Sequence, residues 1–430
     1  MIQIIDLRGR RDSELFSRLA SRDRVEYGDV RGRVEEIIRN VREHGDRALI
    51  EYTKMFDGVE LSADGLRVTE QEIAEAYDRV DKGLLEVIKR ARRNIESFHE
   101  RQKENSWFNA EKDGVILGQL YRALDSAGVY VPGGTAAYPS SVLMNIVPAK
   151  VAGVRRIVMV TPPGGKTGIN PAVLAAANEA GADEIYKIGG AQAVAALAFG
   201  TETIPKVDKI TGPGNIYVAT AKRMVYGYCD IDMIAGPSEI VVVADESACP
   251  KYIAADMLSQ AEHDPLASAI LVTDSESIAN NARIEILRQL DKLTRKEIAA
   301  ESIKNYGAIV LAGNMEDAVE AVNRIAPEHL ELCVREPFSL LGSVRNAGAI
   351  FLGNYASEPV GDYFAGPNHV LPTGGTARFY SPLNVGDFVK KSSVISYTKN
   401  ALERIKNDII LFAEAEGLTA HANAIRARFE

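Results

Sequence analysis

Apolar residues in the first part of the chain, up to about residue 113, follow the spacing of helices. They recur at steps of three and four residues from Val34 to Phe56, which places them on one buried helix face. A second helix is predicted to begin at Thr69, whose hydroxyl can cap it while Glu72 reaches back, and to continue to Phe98. We expect this region to be a structural layer of helices.

After Gln119 the pattern changes to short apolar runs separated by glycine and proline, which alternate with amphipathic stretches of helix length. This alternation is typical of βαβ units, and two such units in tandem explain it. The predicted strands are 155–160, 184–188, 206–210, 239–244, 269–273, 308–311 and 349–352, and the predicted helices are 171–180, 191–199 and 251–262. From Val389 onward the charged sequence predicts helix again.

The length of 430 residues exceeds that of one ordinary domain, and a hydrophobic content of 46% supplies a large core. We therefore expect an α/β fold in four parts. These are an N-terminal helical region (1–120), a first α/β domain (121–236), a second α/β domain (237–388) and a C-terminal helical tail (389–430).

Charge and cysteine content exclude several classes of protein. The net charge is −9 at pH 7 and no long basic block is present, so a nucleic-acid partner is not expected. Three widely spaced cysteines fit the reducing cytoplasm better than a disulfide framework. The N-terminus has no signal-peptide pattern and no apolar run is long enough for a membrane span, so we expect neither export nor membrane anchoring.

Several loops are rich in glycine and proline, which let a backbone approach a ligand closely. Loops that leave the carboxyl ends of parallel strands are where such proteins bind ligands, and a Gly-Asn pair entering a helix can present N–H groups to phosphate. Each loop could also be only a tight turn, and no G-x-G-x-x-G fingerprint opens a βαβ unit. The loops are 130–135, 211–215, 235–239 and 361–369.

The six histidines divide into two groups. Two lie in the charged helical region, where we expect solvated surface positions, and four lie beside acids, amides or glycines, where they could serve a site. The first group is His44 and His99, and the second is His263, His329, His369 and His421.

Four polar residues could form a metal site if the fold brings them together. Gln260 and His263 are three residues apart at the end of a predicted helix and so share a face, although a histidine there could simply interact with the helix dipole. Asp362 lies in a glycine-rich loop and His421 lies near the C-terminus. Their amide oxygen, carboxylate and imidazoles suit zinc or a similar divalent ion.

Glu328 and His329 are neighbours directly after Pro327, which disfavours helix at the preceding residue. A glutamate and a histidine offer two proton acceptors of different basicity, as two successive deprotonations would need. A structural role remains open for the pair.

Six motifs in the same order closely resemble histidinol dehydrogenase, over about residue 25 to the C-terminus. They are YVPGGTAAYPSS (130–141), ITGPGNIYVATAK (210–222), AGPSE (235–239), LSQAEHDP (258–265), APEHL (326–330) and VGDYFAGPNHVLPT (360–373). This resemblance implies an enzyme that requires zinc and oxidises L-histidinol through L-histidinal to L-histidine. Two NAD⁺ are reduced in this last step of histidine biosynthesis.

The resemblance also assigns roles to residues at matching positions. Those implied for zinc are Gln260, His263, Asp362 and His421, and those implied for proton transfer are Glu328 and His329. Tyr130, Gln192 and Asn215 are implied to contact NAD, while Ser238 and Glu416 join the zinc and proton-transfer residues in contacting substrate, with His369 near them.

The fold implied by the resemblance is two incomplete Rossmann-like units of the aldehyde dehydrogenase kind. It implies a homodimer with an intertwined C-terminal tail, in which Glu416 and His421 complete the active site of the neighbouring subunit. Cys229, Cys249 and Cys333 lie outside the six motifs, so a covalent thiol mechanism is not expected.

Three other functions are compatible with the residues taken without the motifs. A zinc hydrolase would use Glu328 to activate water and would not depend on nicotinamide. A metabolite-binding protein would bind without turnover. A simple zinc alcohol dehydrogenase would stop at the aldehyde, which the number of NADH formed per substrate would reveal.

Overall fold

The computed structural model describes residues 2–8, 16–17, 19, 28–110, 112–133, 138–165 and 168–430. Its contacts divide the chain into two compact units. The larger unit comprises Met1–Gln102 and Asp125–Phe388, and the smaller unit comprises Lys103–Leu124 and Val389–Glu430.

The first half of the described chain begins with helices and continues as alternating strands and helices. In chain order it contains β1 (Gln3–Asp6), α1 (Gly28–Asp57), α2 (Glu70–Arg79), α3 (Lys82–Glu100), β2 (Trp107–Asn109), β3 (Val115–Ala123), β4 (Ser126–Tyr130), α4 (Pro139–Ala152), β5 (Arg156–Thr161), α5 (Pro171–Ala180), β6 (Glu184–Lys187), α6 (Gly190–Phe199), β7 (Lys209–Thr211), α7 (Ile216–Val225) and β8 (Asp230–Ile231).

The second half repeats this alternation and ends in short helices. In chain order it contains β9 (Glu239–Ala244), α8 (Pro250–Ala261), β10 (Ser268–Thr273), α9 (Glu276–Leu290), α10 (Lys296–Tyr306), β11 (Ala308–Leu311), α11 (Met315–Ile325), β12 (His329–Cys333), α12 (Pro337–Leu341), β13 (Ala349–Leu352), α13 (Glu358–Val360), a π-helical turn (Gly361–Ala365), β14 (Val389–Tyr397), α14 (Lys399–Glu403), α15 (Lys406–Ala415) and α16 (Thr419–Arg426).

Two parallel sheets organise the larger unit. The first has five strands in the order β6-β5-β4-β7-β8, and the second has six in the order β1-β11-β10-β9-β12-β13. Both faces of the second sheet are buried: Ile240 and Val242 of β9 pack in one core, while Val241 and Val243 pack in another. A strand covered on both faces is typically apolar throughout, and the apolar runs identified β9, β10 and β11 of this sheet. They did not identify β12, which is equally buried but contains His329 and Glu331. The predicted α/β class is confirmed.

The capping prediction at Thr69 is confirmed, because its hydroxyl accepts the Glu72 N–H while the Glu72 side chain accepts the Thr69 N–H. The prediction of one continuous helix to Phe98 is wrong. The first helix ends at Val80, which is extended. The Asp81 side chain then caps a second helix by accepting the Leu84 N–H at 2.8 Å.

Both ends of the chain contain strands where helix was predicted. β1 pairs in parallel with β11 at the edge of the six-stranded sheet, Gln3 opposite Ala308. β14 pairs antiparallel with β3, Val389 opposite Ala123. The helical prediction from Val389 is therefore wrong for residues 389–397, whose charges lie on a largely exposed strand.

His99 was expected at the surface and is instead fully buried in α3. Its Nδ1 hydrogen-bonds the Ile95 carbonyl at 2.7 Å, and its Nε2 lies 3.4 Å from the Asn368 amide nitrogen. These bonds compensate for removing the ring from water. His44 is exposed, as predicted.

The smaller unit is a three-stranded antiparallel sheet in the order β14-β3-β2 with the helices α14, α15 and α16. Several of its large apolar side chains are exposed, including Ile395 (72%), Leu411 (69%) and Phe412 (70%). Among the described residues, no helix combines the length and the apolar character needed to cross a membrane.

Candidate active site

A sharp turn between α11 and β12 positions the Glu328–His329 pair. Ala326 adopts the left-handed conformation (φ 53°) and donates its N–H to the Val322 carbonyl, which ends the helix. Pro327 then prevents further helix. Among the described residues Ala326 alone has a positive φ without being glycine, a strain that recurs at functional sites.

The backbone of Glu239 holds both members of the pair. Its N–H donates to Oε2 of Glu328 at 2.8 Å, and its carbonyl accepts from Nδ1 of His329 at 3.0 Å. A histidine whose Nδ1 carries the proton has its lone pair on Nε2. When the His329 ring is neutral, Nε2 is therefore the nitrogen that can accept a proton.

Burial and neighbouring charges shift the pKa values of both members of the pair. Burial raises the pKa of Glu328 to about 8, against the opposing charge of His329. Burial alone would lower the pKa of His329, but the negative charges of Glu328 and Asp362 outweigh it and raise that pKa to about 10. Strongly shifted acid and base groups in one site are typical of catalytic pairs.

Asp362 faces the Nε2 edge of the His329 ring. It lies in the π-helical turn, and its Oδ1 is 3.6 Å from Nε2 of His329. Gly361 lets this turn approach the sheet, since a Cβ there would lie 2.7 Å from the Phe351 ring.

Glu358 lies beside Asp362 and ties its segment to two other elements. Its backbone N–H donates to Oε1 of Glu331 at 2.9 Å, and its carboxylate accepts the Ser259 hydroxyl at 3.0 Å. The segment that carries Asp362 is thereby fixed to β12 and α8.

The residues around Asp362 offer a set of ligand atoms for a metal ion. His329, Glu358 and Asp362 each offer a ligand atom, all within 4.8 Å of one another. On α8, Gln260 is buried and its Oε1 has no hydrogen-bond partner. A buried acceptor without a donor is costly unless something outside the chain completes it. Oxygen and nitrogen donors of this kind fit zinc.

Only part of the predicted ligand set is assembled in the larger unit. Gln260 and His263 lie at the end of α8, and His263 interacts electrostatically with both Asp362 and His329. His421 lies on α16 of the smaller unit, where its side chain is exposed. The four-ligand set stays a prediction, and Glu358 is a neighbour that the motifs did not indicate.

The residues predicted to contact NAD lie at the carboxyl ends of strands in the five-stranded sheet. Tyr130 ends β4, and its buried hydroxyl accepts the Gly190 N–H at 3.0 Å. Gln192 lies in the first turn of α6, buried with Oε1 lacking a hydrogen-bond partner. The Asn215 side chain caps α7 by accepting the backbone N–H groups of Tyr217 and Val218. Gly134 and Thr135 of the 130–135 loop lie outside the described residues.

The predicted NAD loops and the Glu328–His329 pair lie at opposite ends of the strands that carry them. His329 is the first residue of β12, and Glu239, which holds it, is the first residue of β9. The rule that function gathers at carboxyl ends is therefore followed by the predicted NAD loops but not by the acid–base pair.

The remaining predicted contacts are partly assembled. Ser238 is half-buried directly before Glu239, and His369 has Nδ1 3.0 Å from the Asp362 carbonyl oxygen. Glu416, which ends α15, is exposed in the smaller unit. Substrate contact by these residues stays a prediction.

The sequence did not indicate the supporting roles of four residues, which are Glu239, Ser259, Glu331 and Glu358. Two of them stand inside quoted motifs, Glu239 in AGPSE and Ser259 in LSQAEHDP, so motif membership was the available signal. Glu331 and Glu358 had none beyond being acids near the motifs.

Cys229 and Cys333 are buried free thiols. Burial raises the pKa of Cys229 to about 12 and that of Cys333 further. Thiols of this kind are inert structural groups.

The fold and the site define an α/β protein that contains a buried carboxyl–imidazole pair. The Histidinol dehydrogenase family description matches residues 20–429. The chain belongs to the histidinol dehydrogenase family, and so to the oxidoreductases of histidine biosynthesis.

Individual relatives agree with this assignment over the whole chain. The histidinol dehydrogenase of Caldanaerobacter subterraneus subsp. tengcongensis is 59% identical over 429 residues, which cover 100% of this chain and 99% of the relative. That of Bacillus subtilis is 59% identical over 413 residues, 96% of each chain. A crystal structure of histidinol dehydrogenase from Elizabethkingia anophelis matches with a TM-score of 0.94 at 40% identity, covering 100% of this chain and 98% of that one.

Proposed function

We propose that this protein oxidises L-histidinol through L-histidinal to L-histidine in the cytoplasm, with zinc bound and two NAD⁺ reduced. The observation that carries the proposal is the Glu328–His329 pair, buried and held by one backbone residue, with Nε2 of His329 facing Asp362. Membership of the histidinol dehydrogenase family supports the substrate.

Gln260, His263 and Asp362 would hold the zinc, with His421 supplied by a second subunit. When bound, zinc would orient the imidazole and amino nitrogens of the substrate and neutralise part of the Asp362 charge. Asp362 contributes to the raised pKa of His329, so this neutralisation favours the basic form of the ring. Ser238 and Glu416 would contact the substrate beside these ligands.

In the first oxidation His329 acts as the base. Its Nε2 accepts the hydroxyl proton of L-histidinol while the hydride on the adjacent carbon passes to NAD⁺, which gives L-histidinal. The Nδ1–H bond to the Glu239 carbonyl keeps the ring oriented as its charge changes.

In the second oxidation Glu328 and His329 act in turn. Glu328 takes a proton from water and the hydroxide adds to the aldehyde carbon. The proton that Nε2 of His329 gained in the first oxidation passes to the aldehyde oxygen, which gives the neutral hydrate and leaves the ring able to accept a proton again. Nε2 of His329 then accepts a hydroxyl proton of the hydrate while a second NAD⁺ takes the hydride, which leaves L-histidine. NAD would lie against Tyr130, Gln192 and Asn215 in both steps.

The first test is the number of NADH formed per L-histidinol consumed, in excess NAD⁺, with zinc-loaded protein beside a chelated sample. We expect two NADH per substrate with zinc and none after chelation, with activity restored when zinc is returned. The redox stoichiometry separates the proposal from its alternatives.

One NADH per substrate would contradict the four-electron reaction and indicate an alcohol dehydrogenase that releases the aldehyde. Absence of NADH, with zinc present and the protein folded, would instead favour the hydrolase or the binding protein.

We also propose that the active unit is a homodimer in which Glu416 and His421 serve the neighbouring subunit. The exposed apolar side chains of the smaller unit, Ile395, Leu411 and Phe412 among them, support a buried partner surface there. Glu416 and His421 both belong to the smaller unit.

Complementation between two inactive variants tests the shared site. His329→Asn and His421→Ala homodimers should each be inactive, but co-expressed chains should regain about a quarter of wild-type activity, because half of the dimers hold one intact site. A mixture in which subunits have not exchanged is the control. No recovery in isolated heterodimers would mean that each site is built from one chain.

A further inference from the structure

A buried ion pair lies next to the predicted NAD loops and has no part in the mechanism above. Lys222 of α7 and Asp232, which follows β8, form a salt bridge with side chains only 3% and 1% exposed. Asp232 also accepts the Met233 N–H at 2.6 Å.

The pair binds both polar groups of one glycine backbone. Nζ of Lys222 donates to the Gly212 carbonyl at 2.9 Å, and Oδ2 of Asp232 accepts the Gly212 N–H at 2.7 Å. Gly212 opens the loop 211–215 that leads from β7 to Asn215. Both hydrogen-bonding groups of this turn are therefore fixed by charged partners away from water.

Gly212 in turn packs against the first NAD loop. Its φ is +113°, and a Cβ at this position would lie 2.1 Å from the Tyr130 carbonyl oxygen. The Tyr130 hydroxyl accepts the Gly190 N–H, which joins the loop that leads to Gln192. Contacts therefore run from the ion pair through Gly212 and Tyr130 to all three loops predicted to contact NAD.

A buried ion pair contributes little net stability compared with well-packed apolar side chains, because desolvating two charges offsets their attraction. Such a pair can instead hold the backbone around it in a single geometry. We propose that Lys222 and Asp232 are positioning residues for dinucleotide binding, which hold the loop 211–215 so that Asn215 and the start of α7 face the NAD. This inference rests on the proposed use of NAD.

Lys222→Met tests it, because methionine keeps most of the side-chain volume and removes the ammonium. Lys209→Met is the matched control. Lys209 is also buried and paired, with Asp230 at 2.9 Å, but it stands at the first position of β7, away from Gly212. The measurements are NADH affinity by fluorescence titration, KM for NAD⁺ and for L-histidinol, zinc content, and the unfolding midpoint.

We expect Lys222→Met to weaken NADH binding and raise KM for NAD⁺ by about tenfold or more, since misplaced binding groups lose their contribution. KM for L-histidinol and zinc content should stay within about twofold of wild type. Lys209→Met should lower the unfolding midpoint without changing NADH affinity.

Equal NADH affinity in the two variants would overturn the positioning role. If Lys222→Met does not fold, Asp232→Asn replaces it, since asparagine retains an acceptor for the Gly212 N–H but loses the charge; unchanged NADH affinity in that variant would also overturn the role. Failure of the wild-type protein to bind NADH would contradict the proposed function itself.

Discussion

Replacing His329 with asparagine should remove oxidation of both L-histidinol and L-histidinal, lowering kcat by roughly a hundred- to ten-thousandfold. The reason is that Nε2 of His329 is the proposed base in both half-reactions, and it is buried without a hydrogen-bond partner. The asparagine amide can still donate to the Glu239 carbonyl, so the variant removes the base more than the local structure. Initial rates with each substrate measure the two losses separately.

The control for this variant is His99→Asn. His99 is also fully buried and hydrogen-bonded to a carbonyl oxygen, that of Ile95, but it lies outside the site. The His99→Asn variant should lower the unfolding midpoint and leave kcat per folded molecule within about twofold of the wild-type value. A His329→Asn loss confined to one substrate would show that the two oxidations use different bases.

Replacing Glu328 with glutamine should damage histidinal oxidation far more than histidinol oxidation. Only the second step needs a base to activate water, and removing such a base costs roughly a hundred- to ten-thousandfold. Glutamine can still accept the Glu239 N–H through its amide oxygen, so His329 keeps its neighbour. The histidinol rate in the same variant is therefore the internal control, and equal damage to both rates would refute the division of roles.

The pH profile gives a second measurement on the same residue. Burial raises the pKa of Glu328 to about 8, so the carboxyl is neutral below that value and becomes a base above it. Histidinal oxidation by the wild-type protein should rise as the pH increases through this range. The rise near pH 8 should disappear in Glu328→Gln, and a profile that is the same in both proteins would exclude Glu328 as the base.

Several core strands were predictable because they are apolar and buried on both faces. The predicted bounds of 239–244 and 308–311 coincide with β9 and β11, which are buried throughout, whereas the buried strands β4 and β12 were not predicted. β1 and β14 were missed because they lie at sheet edges, with exposed positions that break the apolar run. Edge strands depend on what they pair with, and the sequence of one strand does not state its partner.

The acid–base pair could be identified from its residue types and motif, but its support could not. Glu239 acts through its backbone N–H and carbonyl, which every residue except proline possesses, so no side-chain pattern signals it. Its position opposite the pair depends on the alignment of β9 with β12, His329 opposite Ile240. The break at Asp81 was missed because the apolar period continues across it.

The alignment of β9 with β12 links folding to catalysis. The two strands begin 90 residues apart in sequence, at Glu239 and at His329. A slip of one residue would present Ile240 in place of Glu239 and turn alternate side chains to the opposite face. The proton-transfer geometry therefore does not exist in any intermediate that lacks this strand pairing. Recovery of activity during refolding should coincide with protection of the β9 and β12 amides from hydrogen exchange.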